Sequence, residues 1–280
     1  MKIFLKSSMI GLCLLILGLG IPHNPHLVLD AKNNFQLPVN FRATNAKSNL
    51  HLFGSAQFSE ANLRYVLQNY PKPSYIFDLR QESHGFLNGS AISWYGKNNW
   101  ANLNKNGQQV EKIENKMLAI LKNQNTEIVY QTKPNKDPME IHPTTVSNEQ
   151  SLAQKYNIQY VRIPVPDHRR PSDQEVDNFL KIIRQIPAEQ WIYLHCRGGR
   201  GRTTTFMAMV DMMRNAKNNK LEEILDRQHR LGGSDFSKVY LDDKFGHHAQ
   251  ERYQFLKDFY DYCYENHNNF STSWSQWISK

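Results

Sequence analysis

The chain has 280 residues, 40% hydrophobic and 21% charged, a balance that suits one large or two modest globular domains and excludes a disordered or fibrous protein. With 34 Lys and Arg against 26 acidic residues the formal charge is +8, so anionic partners are expected: nucleic acid, anionic lipid or a phosphorylated small molecule. The 3 cysteines include no pair at C-x-x-C spacing, which argues against a disulfide-stapled scaffold or a zinc site and leaves stability to a buried core.

In chain order, residues 1–20 carry Lys2 and Lys6, an apolar run over 9–19, and small residues at Gly18 and Gly20. The run is shorter than the roughly twenty residues that span a bilayer, so the segment reads as a signal peptide rather than an anchor. Its removal leaves a basic excess of about six and places the mature protein outside the cytoplasm, in the periplasm, secreted, or delivered to another cell. Beyond it, short β-rich runs alternate with longer amphipathic ones, an α/β signature. Strands are expected over 75–79, 127–131, 159–165 and 191–195, where β-branched and aromatic residues concentrate. Helices are expected to start at Ser59, near Gly107, at Ser172, at Gly201, near Asn219 and near Gln250. Ser172 and Glu175 have capping-box spacing, and Val176, Phe179, Leu180, Ile182 and Ile183 form an apolar face. The stretch 81–150 is richer in Asn, Gly and Lys and reads as an elaboration on the core.

The segment 191–204 runs from an apolar strand through a glycine-rich turn into a helix. Gly198, Gly199 and Gly201 allow successive backbone N–H groups to point inward, and the following helix adds its positive N-terminal end, a cradle for a phosphate. Cys196, at the base of this loop, is expected to ionise easily in that field. Arg202 offers a planar fork to two phosphoryl oxygens. Two plainer readings stand beside this one: a structural cysteine in a tight turn, and an anion-binding loop without catalysis. Three arginines (Arg197, Arg200 and Arg202) in one short loop have no use in an ordinary turn. The His247-His248 pair lacks companion ligands at metal spacing, and Cys263 reads as a small buried hydrophobe in the last helix.

His195-Cys196-x-x-Gly199-x-Gly201-Arg202-Thr203 resembles the phosphate loop of the cysteine-dependent protein tyrosine phosphatase superfamily. Asp78-Leu79-Arg80-Gln81-Glu82-Ser83-His84-Gly85, Ser93-Trp94, Asn98-Asn99-Trp100-Ala101-Asn102, Asn40-Phe41-Arg42, and Arg162-Ile163-Pro164 leading to Asp167-His168 are similar to the bacterial tyrosine-phosphatase-like (cysteine) phytases, over residues 40–265. The resemblance implies an α/β tyrosine phosphatase fold over 33–280, with a small partial β-barrel inserted at roughly 90–150. It implies a phosphatase acting on myo-inositol hexakisphosphate through a phosphocysteine, with no metal or other cofactor. Within it Cys196 is the nucleophile, Arg202 the transition-state clamp and Asp167 the proton donor, while His195 orients the loop and Thr203 donates to the sulfur. Gly198, Gly199 and Gly201 bind phosphate through the backbone, and Arg42 and His168 contact substrate, although for His168 a surface histidine is an equal reading. Arg197 and Arg200 depart from the phytase pattern and resemble a lipid-phosphatase loop of the same superfamily, where basic residues meet the extra phosphates of an inositol ring. The expected partner is therefore a polyphosphorylated inositol, soluble or as a phosphoinositide at a membrane surface, and not nucleic acid. Lys238 and Lys244 read as solvated charges, and Asp78, Glu82 and His84 as supports of the site or a structural network. The rivals are a phosphoinositide phosphatase, a phosphotyrosine protein phosphatase and a non-catalytic inositol-phosphate-binding module.

Overall fold

The computed structural model describes residues 25–131, 137–238, 241–266 and 268–280. The expected signal peptide at 1–20 lies outside them. In chain order the elements are β1 (His26–Ala31), β2 (Arg42–Ala43), β3 (Leu52–Ser55), α1 (Glu60–Asn69), β4 (Tyr75–Asp78), β5 (His84–Leu87), β6 (Ser90–Tyr95), α2 (Gly107–Lys122), β7 (Glu127–Tyr130), β8 (Pro138–Ile141), β9 (Val146–Ser147), α3 (Glu149–Lys155), β10 (Gln159–Arg162), α4 (Asp173–Ile183), β11 (Ile192–His195), α5 (Gly201–Asn215), α6 (Leu221–Arg230), α7 (Gly246–Glu265) and α8 (Trp274–Ile278).

Two sheets organise the chain. The first has the order β10-β4-β11-β3-β2, with β10, β4, β11 and β3 parallel and β2 antiparallel at its edge. Its middle strand, β11, is buried on both faces, as parallel strands covered on each side must be. Period-2 alternation sorts its residues: Ile192 and Leu194 join Val176, Phe179, Phe206 and Phe255 from α4, α5 and α7. Tyr193 faces the other way, with Phe58, Leu63, Phe86 and Leu152. All four expected strands and all six expected helices form, within a few residues of the predicted limits.

The second sheet has the order β8-β7-β1-β6-β5-β9 and is open, with β8 and β9 at its edges, so the described residues form no closed barrel. The segment 84–147 supplies five of its strands and β1, upstream of residue 33, supplies the sixth. One face packs Phe86 and Ala91 against the first sheet; the other packs Leu27, Leu87, Ile92 and Val129 against Leu121 of α2. Between Leu29 and Ala31 the pairing with β6 slips, leaving Asp30 at a β-bulge. At α4 only half of the expected capping box forms: Ser172 Oγ accepts from Glu175 N at 3.3 Å, while the Glu175 carboxylate accepts from Asn178.

Candidate active site

β11 delivers Cys196 to the C-terminal edge of the first sheet, where the chain turns through 196–200 into α5. The turn is fixed from several sides. Gly199 adopts φ +69°, and a side chain there would put Cβ 2.2 Å from Ala56 N, so the loop lies directly against the end of β3. Gly199 N donates to Cys196 Sγ at 3.2 Å, so this amide of the loop points inward. Asn40 Nδ2 donates to Gly198 O at 2.8 Å, and the Arg197 carbonyl accepts from Gln57 N at 3.1 Å. A cavity of about 660 Å³ opens above, lined by Cys196, Arg197, Gly198, Arg200, Gly201 and Arg202, with Asp167, His168 and Arg252 on one wall and Leu29, Asp30 and Tyr95 on another.

Arg202 is buried and held on all sides. Nη1 and Nη2 donate to the two Glu82 oxygens at 2.7 and 2.9 Å, Nη1 also donates to Val165 O, and Nη2 lies 3.0 Å from Asp167 Oδ1. Burial alone would favour the neutral guanidine, but Asp167 and Glu82 overrule it and hold Arg202 charged. Burial likewise raises Glu82, yet Arg202 and then Arg80 hold its carboxyl well below the usual range. Asp167 is oriented by the second sheet's connector and by α7. Asn99 Nδ2 donates to its Oδ2 at 3.0 Å, Trp100 Nε1 donates to its carbonyl at 2.8 Å, and Arg252 Nη2 donates to the next carbonyl, His168 O, at 2.6 Å. The His168 ring stacks on Phe245 with centroids 3.7 Å apart, and its pKa is lowered by burial.

Behind the loop, His195 Nε2 meets Glu149 Oε1 at 2.6 Å, and Gln57 Nε2 donates to Glu149 Oε2 at 2.8 Å. Burial raises Glu149, but His195 and His84 prevail and hold it below its ordinary value. His84 sits among Asp78, Glu114 and Glu149; burial disfavours its charge, and the carboxylates, Asp78 first, raise its pKa nonetheless.

A cysteine in a glycine-rich loop at the end of a central strand, with a buried arginine and a carboxylate paired 3.0 Å apart in the same cavity, sets the terms for comparison with known proteins. A model of the PTP-like phytases, described by the words inositol hexakisphosphate, matches residues 77–214. A PTP-like phytase structure from Bdellovibrio bacteriovorus is 32% identical, with a TM-score of 0.77 over 92% of this chain and 97% of its own. The chain belongs to the PTP-like phytase family. A tandemly repeated PTP-like phytase from Mitsuokella multacida aligns at 36% identity and a TM-score of 0.83, over 92% of this chain and 50% of its own. A second structure from that organism holds myo-inositol-(1,3,4,5)-tetrakisphosphate. Effector protein hopD2 of Pseudomonas syringae pv. tomato is 31% identical over 251 residues, 85% of this chain and 53% of its own. The chain thus spans about half the length of the effector and of the Mitsuokella protein.

This phytase-family chain carries the tyrosine phosphatase fold as mixed α/β, and its cavity gathers most of the residues marked in the sequence: Cys196, Arg197, Gly198, Arg200, Gly201, Arg202, Asp167 and His168. Four others lie behind the loop. Arg42 is placed differently from the expected substrate contact: it is buried beneath the turn, where Nη1 donates to Gly199 O at 2.7 Å and Nη2 to Thr204 Oγ1 at 3.1 Å. Burial lowers its pKa to about 10. Thr203 Oγ1 donates to Ser55 O at 3.3 Å rather than to the cysteine sulfur. His195 and Gly199 support the loop from within. Lys238 pairs with Asp235, and Lys244 donates to Asn98 Oδ1, neither lining the cavity. Sequence reasoning did not mark Asp30, Tyr95, Arg252 and Ser234, which also line the cavity, or Glu149 behind the loop. The signal for Arg252 was a cation at helical spacing from Phe255, Leu256 and Phe259, on the face that the helix buries; for Asp30 and Glu149 no local signal existed.

Proposed function

We propose that this protein is a cysteine phosphatase that hydrolyses phosphate monoesters of polyphosphorylated myo-inositol, hexakisphosphate above all, and works outside the cell that makes it. The observation that carries this reading is Cys196 at the floor of the loop, with Arg202 and Asp167 3.0 Å from each other on its rim. A phosphoryl group seated on the amides takes the place of Asp167 beside Arg202. Cys196 Sγ attacks phosphorus, the bond to the leaving oxygen breaks, and Asp167 donates its proton to that oxygen. Water then attacks the phosphocysteine, Asp167 accepts its proton, and the S–P bond breaks to regenerate the thiolate. Glu82 keeps Arg202 charged and aimed while charge develops on the equatorial oxygens.

A substrate with several phosphates suits the two further arginines of the loop and Arg252 on the wall, all in one cavity. The expected phytase chemistry of the family supports the same substrate class. Export is supported by the amino-terminal pattern at 1–20 and by similarity to a protein named as an effector. The test is phosphate release, with chelator present, from inositol hexakisphosphate, a phosphoinositide in micelles and a phosphotyrosine peptide. Hexakisphosphate is expected to be preferred, with Cys196→Ser inactive and Asp167→Asn reduced by about 10²–10⁴-fold. Preference for lipid or peptide overturns the substrate; turnover that survives in Cys196→Ser overturns the mechanism.

A further inference from the structure

Arg197 does not lie free at the cavity mouth. Its Nε donates to Asp30 Oδ1 at 2.7 Å, and its guanidinium carbon lies 4.8 Å from the centroid of the Tyr95 ring. Asp30 occupies the bulge of β1, and bulges beside binding sites re-aim side chains. Here the irregularity turns a carboxylate, only 1% exposed, toward the phosphate loop. Its other oxygen lies 3.0 Å from Arg80 Nη2, and Arg80 Nε lies 2.9 Å from Glu82, which grips Arg202. Two carboxylates therefore alternate with three guanidiniums from Arg197 to Arg202, and the chain of charges keeps a net excess of one positive. Burial would raise Asp30, but Arg80 and Arg197 hold its pKa down.

The consequence lies in what this fixes. The Nε edge of Arg197 is spent on Asp30 and one face on Tyr95, while the hydrogen bonds recorded among the described residues leave its Nη groups unengaged. Because the side chain is 25% exposed and lines the cavity, those groups are available to an anion. A fork already held in one pose loses little entropy on binding, which is where pre-organisation gains affinity. We infer that Asp30 and Tyr95 are positioning residues that hold Arg197 as a subsite for a second phosphate of the same substrate, on the β1 and β6 side of the cavity. This rests on the phosphatase reading above and deepens it: β1 and β6 select substrates carrying more than one phosphate.

The experiment separates the two ideas. Equilibrium binding of inositol hexakisphosphate and of inorganic phosphate is measured by calorimetry in the Cys196→Ser background, alone and combined with Asp30→Asn, Arg197→Lys or Tyr95→Leu. Each added change is expected to weaken hexakisphosphate at least tenfold more than inorganic phosphate. In the enzyme with Cys196 intact, the ratio of kcat/KM for hexakisphosphate over p-nitrophenyl phosphate is expected to fall at least tenfold, through KM rather than kcat. Arg197→Lys keeps the charge and the Asp30–Arg80 pair while removing the planar fork, so it answers even if Asp30→Asn fails to fold. Equal weakening of both ligands, or no weakening of either, overturns the subsite. A selective loss of hexakisphosphate binding, when the protein with Cys196 intact hydrolyses none of the phosphomonoesters, leaves the subsite standing and overturns the phosphatase.

Discussion

Gly199 shows how much of the site rests on one backbone conformation. At φ +69° a side chain is strained, and a Cβ would sit 2.2 Å from Ala56 N, a backbone atom that cannot move aside. Gly199→Ala is expected to displace the loop and abolish turnover while the protein keeps its far-ultraviolet circular dichroism; full activity would show that the loop tolerates a different path. Arg202→Lys asks a different question of the same loop. A single ammonium cannot satisfy both Glu82 oxygens and a phosphoryl group, so kcat is expected to fall by about 10²–10³-fold, the loss typical of one transition-state donor. Steady-state kinetics on hexakisphosphate measures it, and a change confined to KM would deny Arg202 its role in the transition state. Removing Glu82 leaves Arg202 buried beside fewer partners, and Glu82→Ala is expected to destabilise the fold by about 3–5 kcal/mol, read from urea midpoints.

Elements act here by lending residues to one another. The turn that carries Asp167 is held by Asn99 and Trp100 from the connector between β6 and α2, and by Phe245 and Arg252 at the start of α7. Arg169 stacks over the Trp100 ring at 4.6 Å, closing the cage from outside. Asp167 therefore depends on two segments distant in the chain for its position. Trp100→Ala is expected to lower kcat about tenfold or more on inositol phosphates, and less on p-nitrophenyl phosphate, whose leaving group needs little protonation. Equal losses on both substrates would mean that Trp100 shapes the cavity rather than the placement of Asp167. The unit from β11 through the loop to α5 was legible in the sequence because its signals are local: an apolar run, three glycines, and a helical pattern in immediate succession. Asp167 was legible only through resemblance, since an Asp after Pro is ordinary in any turn. Arg42 was legible as important and misplaced in role, because sequence cannot say on which side of a loop a guanidinium lies.

At the scale of the molecule, buried charge joins the two sheets. Asp30 and Arg197 are 167 residues apart, and Glu149 and His195 are 46 apart, so no window of sequence contains either pair. That separation is why the support of the site stayed hidden while the loop at its centre did not. The same network sets how stability depends on pH. Glu82, Glu149 and Asp30 have pKa values lowered by folding, so their contribution is complete above the ordinary carboxylate range of 3.8–4.5 and is lost as pH falls below it. His84 has a raised pKa, so its contribution is complete below the ordinary 6.5 and is lost as pH rises through the raised value. Stability is therefore expected to peak between about 4.5 and 6.5 and to decline on both sides, in melting temperatures recorded from pH 3 to 9. A flat profile across the acidic limb would mean that folding does not lower the pKa values of these carboxylates.

The place of β1 has a bearing on how such a protein can diversify. A segment inserted at one point and folded on its own can be exchanged between proteins as a cassette. The second sheet does not fit that description, because its strand between β7 and β6 is supplied by 26–31 and carries the carboxylate that reaches the phosphate loop. Transplanting 84–147 into another phosphatase scaffold would bring the walls without the strand that joins them. A substitution at position 30 or 95 removes a contact of Arg197, so a change at any of these three positions is felt by the others.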